Sequence, residues 1–166
     1  MKQGQTGIAR KAAAAIALTA IILSLAGLGY NLRAMLPYPM NYMTRLVWLN
    51  GYASQAGATS GAALNCSGFI ANAHGNEYIA PEEFYQGAGG KLQIVAEVSD
   101  RSAIPESILK PGDVAAFHGA HVAAYLGAGI WIDSDARRGE VSKFRMQDKS
   151  QSDNWFAGPV RIVRWN

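Results

Sequence analysis

A single cysteine, Cys66, and a downstream histidine, His121, are the side chains of this sequence best suited to nucleophilic chemistry. One thiol cannot form an intramolecular disulfide or a cysteine-based metal cluster, so Cys66 is either a small buried hydrophobic residue or a nucleophile. A nucleophilic thiol needs a base within hydrogen-bond reach and a third group that orients the base. His121 and two later carboxylates, Asp133 and Asp135, can supply both. This combination favours a cysteine hydrolase over a purely structural cysteine.

Cys66 lies at the predicted start of a short helix that runs to about His74. Asn65 is a good N-cap residue, and the apolar residues that follow are spaced as one helical face: Phe69, Ile70 and Ala73. The N-terminus of a helix carries a partial positive charge and free N–H groups. It can therefore stabilise a thiolate and also hold an oxyanion.

A predicted β-hairpin carries the base. Two apolar segments flank the glycine-rich turn at Gly127, namely His121–Leu126 and Ile130–Asp133. If the turn centres near Gly127, positions 121 and 133 face each other about 5 Å apart, and Asp133 can accept the Nδ1 proton of His121. Asp135 is the alternative partner if the register slips by two residues, whereas a slip of one turns His121 away from both carboxylates.

Other roles for these residues have less support. A lone histidine in an apolar strand is often a packing residue, and His118 and His74 fit that interpretation. A metal site built on His118, His121 and Asp133 is conceivable, but a three-residue spacing in extended chain points two rings to opposite faces. Ser67 is a poorer nucleophile than the thiol that precedes it. We therefore expect neither a metal nor a cofactor.

The first 36 residues form a separate unit. Ala12 to Tyr30 is a run of 19 residues without charge, preceded by Lys2, Arg10 and Lys11. About 20 apolar residues are needed to cross a bilayer as a helix. The charge distribution predicts a short cytoplasmic N-terminus, a membrane anchor and an exported domain over residues 37–166. A cleaved signal peptide ending near Ala26 is the alternative, in which case the domain is secreted.

The net charge of +3 arises in this N-terminal unit. Four basic and no acidic residues lie in the first 33 positions, which leaves 11 basic against 12 acidic residues in the rest of the chain. The basic isoelectric point therefore gives no support to nucleic-acid binding by the folded domain. No cysteine lies near the apolar run, which excludes a lipoprotein.

The remaining pattern predicts an α+β domain. Helices are expected from Asn41 to about Asn50 and over Pro81–Tyr85, beside the helix that begins at Cys66. A type II turn at Lys110-Pro111-Gly112 introduces a region of short strands. The predicted strands are 91–98, 113–117, 121–126, 130–133, 139–143 and 160–163. Helices in the first half and an antiparallel sheet in the second are typical of this class.

Four segments resemble the NlpC family of papain-like cell-wall peptidases. Asn65-Cys66-Ser67-Gly68-Phe69-Ile70 is similar to the family's D-C-S-G-F/L-V signature, and Leu109 to Val114 to its L-x-P-G-D-L. His121 to Gly127 resembles its histidine strand, and Trp155 to Arg164 its closing strand. The resemblance runs from about Gly51 to Trp165 in the family's order. Asn65 stands where the family usually has Asp, which keeps the cap but removes a charge.

The resemblance implies a papain-like fold of short helices on an antiparallel sheet, with Cys66, His121 and Asp133 as the catalytic triad. It also implies cleavage of amide bonds in peptidoglycan stem peptides through a thioester. Tyr52 and Ser67 are weaker candidates for the substrate or oxyanion site. Two alternatives stay open: an inert binding or assembly module on a membrane anchor, and the same chemistry used as an antibacterial toxin or phage lysis factor.

Overall fold

The computed structural model of the chain describes residues 41–58, 64–148 and 154–166. Within these ranges, no helix is both long and apolar enough to span a bilayer. The predicted anchor or signal segment over residues 1–36 lies outside the described residues. Residues 41–166 form one compact unit.

In the described part of the chain, three short α-helices precede the sheet, each where the sequence predicts it. α1 spans Tyr42–Trp48 and begins at Asn41, whose side chain accepts a hydrogen bond from the Thr44 N–H. α2 spans Cys66–His74 and ends at Gly75, which adopts the left-handed conformation common after a helix. α3 spans Pro81–Tyr85, with proline in its first turn where a missing N–H costs nothing.

A six-stranded sheet follows, and every neighbouring pair of its strands is antiparallel. The strands are β1 Leu92–Val98, β2 Val114–Phe117, β3 His121–Gly127, β4 Ile130–Asp135, β5 Glu140–Arg145 and β6 Val160–Trp165. Their spatial order is β1-β6-β2-β3-β4-β5, so the last strand inserts between the first two. The observed architecture confirms the predicted α+β class and the papain-like arrangement of short helices on an antiparallel sheet.

The central strands are buried on both faces. On one face the helices contribute fully buried side chains, including Leu46, Phe69, Ile70 and Phe84. On the other face, aromatic residues from the sheet and from the 3-10 segment Asn154–Phe156 form a second cluster. Burying one such side chain contributes roughly 1.5–3 kcal/mol to the free energy of unfolding. The two apolar layers therefore hold the sheet in place from both faces.

Asp113 organises the turn that leads into β2. The Asp113 N–H donates to the Lys110 carbonyl at 2.9 Å, and Gly112 between them has φ of 97°, the geometry of the predicted type II turn. The Asp113 carboxylate is 1% exposed and accepts two hydrogen bonds from Arg164, at 2.7 and 2.8 Å. It also accepts the Lys110 N–H at 2.7 Å. This one carboxylate therefore joins the turn to β6.

The pairing of β3 with β4 differs from the predicted register. Ala124 lies opposite Ile132, and an irregularity follows at the turn, where Gly127 pairs with Ile130. Continued toward the start of β3, this register brings His121 level with Asp135 and places Asp133 one diagonal step away. The shift is two residues, so both carboxylates stay on the His121 face of the sheet.

We expect the Asp113→Ala substitution to lower the free energy of unfolding by about 2 to 3 kcal/mol, because it leaves Arg164 and the Lys110 N–H without their acceptor. Urea denaturation measures the change. The matched control is Glu97→Ala, which removes the 54% exposed partner of Arg161 and should cost less than about 1 kcal/mol. Equal losses in the two variants would contradict the role assigned to Asp113.

Candidate active site

Cys66 occupies the first turn of α2. The Asn65 side chain caps the helix by accepting the Gly68 N–H at 2.7 Å, and its amide group donates to the Tyr78 hydroxyl at 3.4 Å. Cys66 is 9% exposed and contributes to the core as well as to a surface cavity. The first N–H groups of a helix have no intrahelical acceptor. The thiol therefore lies where backbone donors and the helix dipole favour negative charge.

His121 and Asp133 form a buried pair. Nε2 of His121 lies 2.9 Å from Oδ2 of Asp133, and the two side chains are 1% and 0% exposed. The sequence predicts this contact at Nδ1, whereas in the structure it is made by Nε2. Although the pair is diagonal in the β3–β4 register, the two side chains share a face and are long enough to meet.

The environment of His121 favours its protonated form. Burial by itself lowers the pKa of His121, but the hydrogen bond with Asp133 and the interactions with the Cys66 thiol outweigh it and raise that pKa to about 9. At neutral pH both ring nitrogens therefore carry hydrogen, and Nε2–H donates to Asp133. Nδ1 is buried and makes no hydrogen bond within the described part of the chain. Because Asp133 occupies Nε2, Nδ1 is the nitrogen that can exchange a proton with Cys66.

Asp135, the alternative partner of His121, is engaged elsewhere. Its carboxylate accepts the backbone N–H of Arg137 at 2.9 Å and the side-chain Nε and Nη2 of the same residue at 3.1 Å each. Arg138 approaches it at 3.8 Å. Of the two carboxylates that the sequence leaves open, Asp133 contacts the histidine and Asp135 holds the loop after β4.

A cavity of about 170 Å³ brings the cysteine and the histidine together. Most of the described residues that line it are small, and Pro81, His121 and Trp155 are the larger ones. The lining residues are Ala56, Gly57, Asn65, Cys66, Pro81, Ala120, His121, Ser134, Ala136 and Trp155. The thiol and the imidazole therefore share one solvent-connected space.

Trp155 is a part of this site that the sequence pattern does not predict. Its ring stacks on His121 with centroids 5.2 Å apart and planes 30° apart. The guanidinium carbon of Arg137 lies 4.3 Å from the centre of the same indole ring. Trp155 is 34 positions from His121 in sequence, and no strand period links the two. The only available signal was a tryptophan in the segment that resembles the family's closing strand.

The other predicted site residues lie away from the lining of this cavity. Tyr52 is half-buried and packs against the helical side of the core. Ser67 is fully buried, and its hydroxyl donates to the Asn65 side chain at 3.4 Å. Both assignments stay predictions.

The two remaining histidines make aromatic contacts. The His118 ring contacts Tyr85 edge-on, and the His74 ring stacks on Trp165 with centroids 3.9 Å apart. Over residues 41–58, 64–148 and 154–166, no three His, Cys, Asp or Glu side chains cluster as metal ligands would. The alternative of a metal site on His118, His121 and Asp133 is therefore not supported by the described residues.

We expect the His121 ring to titrate with a midpoint near pH 9 in NMR spectra. Asp133→Asn should lower this midpoint, because burial then acts without the opposing charge. Asp135→Asn is the matched control and should leave the midpoint close to that of the unsubstituted protein. The assigned pair would be contradicted if the midpoint fell in Asp135→Asn and stayed unchanged in Asp133→Asn.

The same titration predicts how stability depends on pH. The folded-state pKa of His121 lies above its usual value of 6.5. The contribution of the pair to the free energy of unfolding is therefore complete below about pH 6.5 and is lost as the pH rises through about 9. Chemical denaturation of the protein and of Asp133→Asn across this range measures the difference.

Solved structures of similar fold come from several organisms. The P60 domain of an antigen from M. avium subspecies paratuberculosis aligns with a TM-score of 0.50 and 16% identity, over 74% of this chain and 90% of that one. A protein of the NLP/P60 family from Staphylococcus aureus, described as similar to a lipoprotein, aligns with a TM-score of 0.50 and 17% identity, over 75% of this chain and 41% of that one. At these identities the likeness is one of fold.

The peptidoglycan hydrolase RipB from Mycobacterium tuberculosis aligns with a TM-score of 0.49 and 17% identity, over 74% of this chain. This chain spans 61% of the RipB chain and 45% of NlpC2 from Trichomonas vaginalis. No curated protein matches the sequence.

The sequence profile of the NlpC/P60 family matches residues 52–160. This range is more than half of the chain, and it includes the capped cysteine, the histidine strand and the carboxylate that holds the imidazole. The chain belongs to the NlpC/P60 family.

Proposed function

We propose that this protein is a cysteine hydrolase that cleaves amide bonds in the stem peptides of peptidoglycan. One observation carries the proposal: a cavity that is lined by a helix-capped cysteine and by a histidine whose ring is held by a buried carboxylate. A nucleophile, a base and an orienting group in this order are what acyl transfer requires. A neutral, purely structural cysteine would need neither the buried pair nor an opening to solvent.

The first half of the reaction forms a thioester. The Cys66 thiolate adds to the amide carbonyl, and the negative charge that develops on the carbonyl oxygen is stabilised by backbone N–H groups at the start of α2. The His121 imidazolium then donates its Nδ1 proton to the departing amine, so that the carbon–nitrogen bond breaks and a neutral amine leaves. Asp133 keeps Nε2 occupied throughout and stabilises the positive charge of the ring.

The second half of the reaction regenerates the enzyme. His121, now neutral, accepts a proton from water at Nδ1, and the resulting hydroxide adds to the thioester carbonyl. The carbon–sulfur bond breaks, the carboxylic acid product leaves, and the thiolate and imidazolium are restored. The order of steps requires the cavity to admit one water molecule after the amine has departed.

Family membership supports the substrate class, since the resemblance in sequence implies hydrolysis of cell-wall peptides. An exported domain is consistent with this substrate. The uncharged run Ala12 to Tyr30 supports export, either through an uncleaved membrane anchor or through a signal peptide. We propose that the catalytic domain functions outside the cytoplasmic membrane.

A second candidate function is an inert module that binds cell-wall peptides without cleaving them. The position of Tyr52 favours it, because this tyrosine packs on the core and is not part of the cavity lining. Asn65 in place of the family's usual aspartate also removes one charge beside the thiol. The two functions differ in a single outcome, which is whether the substrate is cut.

We expect the Cys66→Ala substitution to lower the turnover of purified muropeptides by at least about a thousandfold, because it removes the nucleophile and leaves only binding. Mass spectrometry of the products measures this loss and also identifies the bond that is cut. Cys66→Ser, which keeps the volume and a hydrogen-bond donor, should be similarly inactive because a hydroxyl is a far weaker nucleophile here.

Thermal unfolding of both variants serves as the control for folding, since a single small substitution at the edge of the core should keep the fold intact. Full turnover in folded Cys66→Ala would exclude the thioester mechanism. Binding without cleavage by the unsubstituted protein would favour the inert module instead.

A further inference from the structure

Arg137 lies at the rim of the cavity that contains Cys66 and His121. It follows Ala136, which lines the cavity, and its guanidinium stacks on Trp155, 4.3 Å from the ring centre. The same indole ring stacks on His121, with ring centroids 5.2 Å apart. Trp155 therefore contacts both the guanidinium of Arg137 and the imidazole of His121.

The position of Arg137 is fixed by a buried carboxylate. Asp135 is 2% exposed and accepts hydrogen bonds from the backbone N–H, Nε and Nη2 of Arg137. The Arg137 side chain is nevertheless 46% exposed, so part of it faces water. A guanidinium that is held on two sides has already lost much of the freedom that binding would cost it.

Among the described residues, the lining of the cavity offers little other positive charge to an anionic ligand. Apart from Cys66 and His121, the described residues that line it are neutral. The loop 135–139 contains two arginines and one aspartate, so its formal charge is positive. Arg138, 51% exposed and 3.8 Å from Asp135, is held less closely than Arg137. The loop 135–139 therefore places a net positive charge beside Trp155, and of its two arginines Arg137 is the one held by hydrogen bonds to Asp135.

We propose that Arg137 recognises a carboxylate of the substrate. This inference rests on the proposed function and narrows its substrate class to stem peptides with a free carboxylate near the scissile bond. A D-glutamyl residue joined through its γ-carboxyl group has such a carboxylate at its α-carbon. Guanidinium and carboxylate form charge-assisted, often bidentate hydrogen bonds. Amidation of that carboxylate to isoglutamine removes both the charge and one acceptor.

The test measures binding of two synthetic peptides by the full chain. The peptides are L-alanyl-γ-D-glutamyl-diaminopimelate and its isoglutamine analogue, and Cys66→Ala prevents hydrolysis during calorimetry. We expect Cys66→Ala to bind the carboxylate peptide about tenfold more tightly than the amide peptide. Adding Arg137→Gln should abolish this preference. Adding Arg138→Gln, the matched control on the same loop, should preserve it.

Retention of the preference in the Arg137→Gln background would overturn the proposal, as would its absence in Cys66→Ala alone. Equal weakening of both peptides by Arg137→Gln would also overturn it, because that result assigns Arg137 a structural role through Trp155. Arg137→Lys keeps the positive charge but lacks the planar guanidinium, so this variant should retain part of the preference for the carboxylate peptide. It also provides a test if Arg137→Gln fails to fold.

A separate assay keeps this result distinct from the proposed hydrolysis. The protein with Cys66 intact is incubated with both peptides, and the products are identified by mass spectrometry. Selective binding without cleavage would exclude the hydrolase function and would still support carboxylate recognition by Arg137. Cleavage of both peptides with equal kcat/KM would exclude this recognition and would still support the hydrolase function.

Discussion

The buried hydrogen bond between His121 and Asp133 is the interaction on which the rest of the site depends. Burial lowers the pKa of His121, and the carboxylate of Asp133, together with the interactions with Cys66, reverses that effect and raises this pKa to about 9. Two charged groups this far from water are tolerable only as a pair, since either one alone would lack compensation. The pair therefore fixes both the ring orientation and the nitrogen that faces the thiol.

The sheet can hold this pair in place because other residues pack against both of its faces. Strands β2 and β3 are buried on both faces, and α2 packs on one of those faces through Phe69 and Ile70. The Asn65 cap determines where that helix begins and therefore where Cys66 lies. The position of the nucleophile is thus set by a helix cap and a core, and the position of the base by a strand pairing.

Local features of the fold could be predicted from the sequence with good accuracy. The three helices begin where Asn41, Asn65 and Pro81 indicate, and the Pro111-Gly112 turn introduces β2 as expected. These signals succeed because a cap or a turn depends on residues within four positions of one another. The contact between His121 and Asp133 was also anticipated, although through a register two residues from the observed one.

Long-range features could not be predicted in the same way. The irregularity before Gly127 changes the register of β4, and a two-residue shift leaves the pattern of alternation unchanged, so the sequence could not distinguish the two pairings. Trp155 reaches His121 from a 3-10 segment with no periodic signal. The Asp135–Arg137 pair follows from that loop's conformation and explains why Asp135 does not orient the histidine.

Activation of Cys66 by His121 can be measured directly because the chain has only one cysteine. Iodoacetamide can alkylate no other thiol in this chain, so its rate of reaction at pH 7 reports Cys66 alone. We expect this rate to fall by about tenfold or more in folded His121→Ala, where access to the thiol is retained but the imidazolium is lost. Equal rates in the two folded proteins would show that the thiol and the imidazole are neighbours without being partners.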